Sequence, residues 1–588
     1  MIAPELAAST TTRQHLPFGE VWSADFEFRA GVGERPWPVC MVAKELHSGR
    51  EIRLWRNELL ALRRAPFDVG PDSLFVAYYA SAELGCFLEL GWPLPVNTLD
   101  LFAEHRAETN GVKLPCGNGL LGALAHRNLA HIDAGEKEAM RSLVCERAGW
   151  SEAEQQAILE YCASDVVALT ALLPRMAPTI DVPRALLRGR YMGAVACMER
   201  AGIPIDAQLH RELVDRWVDL KVDLITAVDQ DFGLYEGTTF KRERFESWLD
   251  VQGIAWPRLA SGFLALDDDT FRQQARVWPL LGPLYELRVT LGGLRLTDLC
   301  VGSDARNRCL LSPFRSVTGR NQPSNAKFAF GPARWMRGLI RPPEGFGLAY
   351  IDFSSQEIGI AAALSQDELM AEAYVSGDPY LAFAKAAKLA PHDATKASHK
   401  AIRDRCKSVV LGTNYGMGPD ALAASAGITP SQAKELLRLH RDTYKQFWRW
   451  SDDVVSAAMI TGEMRSVFGW RRHTGREPNP RSLMNFPMQA NGAEMMRVAA
   501  IAATEAGIEV CAPVHDAFLI AAPLDRLDED VATMRAIMTR AGQAVTGALE
   551  IRTDAEVVRW PDRYMDERGE AMWNKIMGLL DRRDVSVT

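Results

Sequence analysis

Leu348-Ala349-Tyr350-Ile351-Asp352-Phe353-Ser354-Ser355-Gln356-Glu357-Ile358 is the stretch on which the reading of this chain turns. An apolar run of strand character ends in an aspartate, and a helical pattern begins almost at once. An acid at a strand end is held rigidly and left exposed. A second acid is delivered far downstream, where Val510-Cys511-Ala512-Pro513-Val514 and Phe518-Leu519-Ile520-Ala521 flank His515-Asp516-Ala517, the pattern of a hairpin with an acid at its tip. Each aspartate alone reads more readily as a turn cap than as a metal ligand. As a pair, they suit two Mg2+ ions about 4 Å apart, one activating a hydroxyl and the other neutralising a triphosphate and its pyrophosphate leaving group.

Between the two acids lies Arg403-x-x-x-Lys407-x-x-x-Leu411-x-x-x-Tyr415-Gly416, whose side chains four apart share one broad helix face. Two cations near a helix start can grip a triphosphate, and the helix N-terminus adds its own attraction for anions. Leu411 and Tyr415, further along, are placed to pack on sugar and base. A second stripe, Arg481-x-x-x-Asn485-x-x-x-Gln489, puts three hydrogen-bonding groups on one face, suited to groove acceptors and template sugars.

In this order and at these separations, Asp352 to Glu357, Arg403 to Gly416 and Val514-His515-Asp516 resemble motifs A, B and C of family A DNA polymerases. Thr318-Gly319-Arg320 is similar to the family's T-x-G-R segment on the primer side. Met198-Glu199-Arg200-Ala201-Gly202-Ile203-Pro204-Ile205-Asp206 resembles the start of its thumb. The resemblance implies that Asp352 and Asp516 hold the catalytic metals, Arg403 the γ-phosphate side and Lys407 the α/β-phosphates. It implies that Tyr415 borders the templating pocket and that Glu357 is the steric gate against a 2′-hydroxyl. Arg320, Arg481, Asn485, Gln489 and His515 would contact DNA.

Departures from the family pattern carry their own expectations. Ala517 stands where relatives often have Glu, leaving two side-chain carboxylates for the metal site. Leu411 stands where Phe or Tyr is commoner, which alters the contact with the sugar. Gly359 replaces an Arg, and Tyr380 falls near a position often held by His.

Near the N-terminus, Ser23-Ala24-Asp25-Phe26-Glu27 sets two acids on one face of a strand, and Tyr161-Cys162-Ala163-Ser164-Asp165 sets a Tyr and an Asp one helical turn apart. Together they resemble the first and last motifs of the DEDDy 3′→5′ exonucleases. In Tyr79-Ala80-Ser81-Ala82-Glu83-Leu84, Glu83 takes the place of the family's middle aspartate. The resemblance implies two metals held by Asp25, Glu27, Glu83 and Asp165, with Tyr161 orienting the attacking water. Asp100 reads as a structural bystander.

A chain of 588 residues exceeds what one core organises, so several domains are expected. The expectation is an α/β exonuclease domain, RNase H-like, over residues 1–180, and an α+β right-hand polymerase domain over 181–588. Within the latter, the thumb would span about 185–310, the palm about 311–364 and 480–588, and the fingers about 365–479. A net charge of −8 is unpromising for a polyanion binder as a whole, but Arg403, Arg405 and Lys407, then Arg471, Arg472 and Arg481, concentrate cations beside the motifs. Uninterrupted apolar runs fall short of a membrane span, and ten cysteines without a C-x-x-C pair read as reduced thiols.

The expected activity is template-directed addition of dNTPs to a primer, with proofreading and without a 5′ nuclease, in phage or plasmid genome replication. Two Mg2+ ions would serve each site, with Mn2+ able to substitute. Primer-template DNA and dNTPs are the expected partners of a monomer, with phage or host replication accessory proteins beside them and no membrane. The expected location is the cytoplasm, that of the host if the source is viral. A single-subunit RNA polymerase is opposed by Glu357 and by the editing domain. A decayed polymerase that serves only as a nuclease or a nucleic-acid-binding protein is opposed by intact Asp352, Lys407 and Asp516.

Overall fold

The computed structural model describes residues 14–129, 134–147, 149–292, 296–331, 333–414, 416–475 and 477–587. Its N-terminal unit is built on five strands, β1 (Glu20–Arg29), β2 (Trp37–Glu45), β3 (Glu51–Trp55), β4 (Ser73–Ala77) and β5 (Thr98–Asp100), in the order β3-β2-β1-β4-β5. The first three form an antiparallel meander, while β4 and β5 run parallel to β1. Alternation along β1 decides its two faces. Trp22, Ala24 and Phe26 pack into a cluster with Phe75 and with Phe87 of α1 (Ser81–Glu89), so Asp25 and Glu27 project from the other face.

That other face is covered by α2 (Glu152–Met176), which starts at a capping box between Ser151 and Glu154 and buries Ile158, Cys162, Val166 and Leu169. Residues Glu152–Thr179 are long and apolar enough, by length and composition, to cross a membrane. No uninterrupted apolar run announces this, because its apolar residues are interleaved with acids and small polar residues. The helix lies against β1 and β2 as a core element.

Helix α3 (Val182–Ala201) joins the N-terminal unit to the rest, packing on α1 and β5 on one side and on the long helix of residues 480–505 on the other. At Gly189 a Cβ would stand 1.7 Å from the Thr98 carbonyl oxygen, so this approach requires glycine. Beside it, Arg188 donates to both carboxylate oxygens of Glu104 at 2.6 and 2.8 Å, both side chains buried. The expected start of the thumb, about 185, therefore falls inside a helix packed at this junction. The helical arm beyond it gathers Trp217, Leu224, Phe245 and Phe271 into a separate cluster with Trp335 and with Trp573 of the C-terminal helix.

The second sheet consists of β6 (Phe346–Phe353), β7 (Glu509–Val514), β8 (Ala517–Pro523) and β9 (Thr553–Arg559), antiparallel in the order β7-β8-β6-β9. Helices α4 (Gln356–Ser365), α5 (Pro379–Ala386) and α6 (Lys400–Asn414) follow β6, and α7 (Pro480–Glu505) and α8 (Leu527–Thr546) pack against each other beside the sheet. A small hairpin, Glu463–Arg465 with Arg471–His473, reaches back to the N-terminal unit. There the Asn110 amide donates to the Val317 and Arg471 carbonyls, each at 2.7 Å, while the His473 N–H donates to the Asn110 carbonyl at 2.8 Å.

Candidate active sites

β6 carries Asp352 one residue before its end, directly opposite Ala517 of β8, and the Phe353 N–H donates to the Asp516 carbonyl at 3.1 Å. The two-residue connection His515-Asp516 closes the expected hairpin, with His515 at a φ of 58°. Burial first, then the charges of Asp516 and Asp554, push the half-buried Asp352 carboxyl up to about 6. Burial likewise raises Asp516.

Asp554 adds a third acid to the cavity wall beside the two expected from the sequence. It faces Asp352 across the β6/β9 pair, accepts from the Ser354 hydroxyl at 2.5 Å, and lines the same cavity of about 1000 Å3. Nothing local to Ala517 could reveal it, because strand pairing alone brings the two segments together. The oxygens of Asp352, Asp516 and Asp554 do not all lie within 4.8 Å of one another.

Arg403, Lys407 and Leu411 of α6 line this cavity, so the helix face read from their spacing is the face that meets the acids. Arg403 is paired with Asp378, which caps α5, and with Asp404 at 3.3 Å. Tyr380 lies under both cations, 5.4 Å from the Arg403 guanidinium and 5.7 Å from the Lys407 ammonium, so it aligns them through its ring face. At Gly359 a Cβ would stand 2.3 Å from the Ile551 Cδ1, so a side chain there requires the end of Ile551 to turn away. Tyr415 lies outside the described residues. No motif in the sequence marks Arg535 and Arg552, which also line the cavity.

Glu357, in the first turn of α4, accepts from the side-chain amide of Gln489. Gln489 is 7% exposed, so of the expected groove-reading stripe it is Arg481 that is open, Asn485 half-buried, and Gln489 turned to Glu357. Arg320 and His515 meet in a neighbouring cavity of about 680 Å3 with Asn321, Gln322 and Asn325. Its floor is set by the buried Arg497, which pairs with Glu494 and donates to the Gly319 carbonyl at 2.8 Å.

In the N-terminal unit, Asp25 and Glu27 of β1 and Asp165 of α2 bring one carboxylate oxygen each within 4.8 Å of one another. Hard oxygen donors at this spacing fit Mg2+ or Mn2+. Glu83 sits just behind them. It is 5% exposed, accepts from the Phe26 N–H at 2.8 Å, and is held well above the usual carboxyl range by burial, then by the charges of Asp25, Glu27 and Asp165. Three of the four expected ligands thus converge, and the fourth adjoins them from α1. Tyr161 precedes Asp165 by one turn of α2. The Cys162 thiol, which no motif marks, lies 3.2 Å from the Asp25 carbonyl. Asp100 caps a helix, accepting from the Tyr79 and Phe102 N–H groups at 2.9 Å each.

The family model described as DNA polymerase family A matches residues 322–559. The DNA polymerase of Mycobacterium phage D29 is 24% identical over 432 residues, covering 69% of this chain and 68% of that protein. DNA polymerase I of Synechocystis sp. is 24% identical over 505 residues, covering 80% of this chain and 49% of that protein. DNA polymerase I of Deinococcus radiodurans is 27% identical over 224 residues, 36% of this chain and 23% of its own length. The matched part thus spans less than half of these two bacterial relatives. Among solved structures, the POL domain of Pol1 from M. smegmatis, in complex with DNA primer-template and dNTP, is similar with a TM-score of 0.70 at 20% identity. The match covers 95% of this chain and 98% of that one.

Proposed function

We propose that this chain, which belongs to DNA polymerase family A through residues 322–559, extends a primer with deoxynucleoside triphosphates on a DNA template. The observation that carries the reading is the cavity in which the strand-end acids Asp352 and Asp516 share walls with Arg403, Lys407 and Glu357. Lys407 and Arg403 bind the triphosphate, Arg403 exchanging its pairing with Asp378 for phosphate oxygens. Glu357, held by Gln489, stands against a 2′-hydroxyl. The cleft of Arg320 and His515 takes the primer side.

A second reading rests on the trio Asp25, Glu27 and Asp165: the N-terminal unit, residues 1–180, is an RNase H-like 3′→5′ exonuclease that edits the product of the polymerase unit, 181–588. Selection by binding is limited, so removal of a frayed mismatched end in a second site adds fidelity. Glu83 completes the acid set and Tyr161 orients the attacking water. Two Mg2+ ions in each site, with Mn2+ able to substitute, would supply charge neutralisation and activation of the attacking oxygen. The likeness to a phage polymerase over two thirds of that protein favours phage or plasmid genome replication in a cytoplasm.

Primer extension on a defined template tests the first reading. The protein extends the primer with dNTPs and Asp352→Ala loses activity by about 10^3-fold or more. Absence of extension by the unmodified chain overturns the reading.

A further inference from the structure

The cavity around Asp352 holds a second pair of cations to which the polymerase reading gives no task. Arg552 follows Ile551, the residue that closes the space over Gly359. Its guanidinium lies 5.0 Å from the centre of the Tyr374 ring, and Nη2 donates to the Tyr374 carbonyl at 3.1 Å and to the Gly377 carbonyl at 3.5 Å. Its Nε is buried without a partner. Arg535, on α8, donates from Nε to the Thr553 hydroxyl at 3.1 Å and from Nη2 to the Thr553 carbonyl at 3.0 Å. Both side chains line the cavity beside Asp554.

What separates these arginines from Arg403 is their compensation. Arg403 is neutralised by Asp378 and Asp404, whereas neither Arg535 nor Arg552 forms an ion pair with a described residue. Neutral carbonyls, a hydroxyl and a ring hold one edge of each fork, so the charge is fixed in place and not cancelled. A guanidinium so anchored keeps N–H donors for a planar or tetrahedral oxyanion, and Arg is the side chain best matched to phosphate. The Tyr374 ring that carries Arg552 also lies 3.3 Å from where a Cβ of residue 359 would stand.

We propose that Arg552, seconded by Arg535, forms a second polyphosphate subsite of this cavity, holding the β/γ end of the incoming nucleotide and the pyrophosphate that leaves. The inference rests on the polymerase reading and deepens it. The role is one of binding, and the bonds made and broken are those of nucleotidyl transfer.

The test uses the full chain in primer extension and in the reverse reaction driven by inorganic pyrophosphate, with Arg552→Gln, Arg552→Lys and Arg535→Gln. Arg552→Gln is expected to raise KM for dNTP and for pyrophosphate by about tenfold, with KM for primer-template within about twofold, as loss of a charged hydrogen-bond pair requires. Arg552→Lys recovers part of the loss and Arg535→Gln shows a smaller rise of the same kind. Should Arg552→Gln fail to fold, Arg535→Gln carries the same comparison. Unchanged KM for pyrophosphate in a folded variant, or an equal rise in KM for DNA, overturns the subsite alone. An unmodified chain that extends no primer overturns the polymerase reading, and the subsite with it, before any variant is compared.

Discussion

Gln489 donates its side-chain amide to the Glu357 carboxylate and so ties the middle of α7 to the first turn of α4. Glu357, the gate of the proposed function, is therefore held by the helix whose exposed end carries Arg481. A hydrogen bond to a charged group is worth about 1.5–3 kcal/mol, so its loss loosens the hold on Glu357. Gln489→Ala is expected to lower discrimination against ribonucleotides by about tenfold or more, read as the ratio of kcat/KM for dNTP and rNTP. Discrimination equal to the unmodified protein's would show that Glu357 keeps its place unaided.

Asp25→Ala/Glu27→Ala is expected to abolish removal of 3′ nucleotides while primer extension continues at its normal rate, because none of the acid trio lines the cavity around Asp352. Degradation of a labelled 3′ end persisting in the double variant would refute the editing role.

Asp100 gives a pH-dependent stability with a definite sign. Burial pushes its carboxyl up to about 7, against two backbone hydrogen bonds that favour the charged form. The native state then binds a proton that the unfolded chain has released, so stability falls as pH rises from about 4 to about 7 and stays low above that. Asp100→Asn retains an acceptor for the cap and removes the charge. It is expected to stabilise the protein by about 2–4 kcal/mol at pH 8 and by almost nothing near pH 4, in urea unfolding. Equal effects at both pH values would exclude a buried charge as the cause.

The buried pair Arg188 and Glu104 joins α3 to the N-terminal unit with two hydrogen bonds. Removing one partner leaves the other charge stranded, at a cost of about 3–5 kcal/mol. Arg188→Ala is expected to show that loss, and Arg188→Met/Glu104→Leu to recover much of it. A double variant as unstable as the single one would mean that packing against Gly189, not the stranded charge, sets the cost.

What the sequence made legible is what repeats along one element. Asp25 and Glu27 share a face because strands alternate, and Arg403, Lys407 and Leu411 share one because helices turn every few residues. The hairpin at Asp516 was legible from two apolar runs around a polar pair. What stayed hidden depends on pairing between distant segments. Asp554 enters the cavity only through the register of β9 on β6, and Arg552 only through its seat on Tyr374. The spacing of Arg481, Asn485 and Gln489 defined a face of α7 but not its neighbours, and the Gln489 end turned out to meet Glu357. Glu83 was nominated from the resemblance of its segment to the family's middle motif, and it lies in the first turn of α1. Its backbone partner, Phe26, follows from the fold alone.

Asn110 bridges the carbonyls of Val317, beside the Thr318-Gly319-Arg320 turn, and Arg471, on the returning hairpin, from a helix end in the N-terminal unit. Arg106, one turn earlier, donates to the Phe314 and Arg315 carbonyls at 3.2 Å. These bonds fasten the N-terminal unit to the segment that leads into Arg320 and to the returning hairpin. On the proposed editing role, a strand end passing between the two sites would itself unpeel and travel, and fraying of its base pairs would set the rate of that passage.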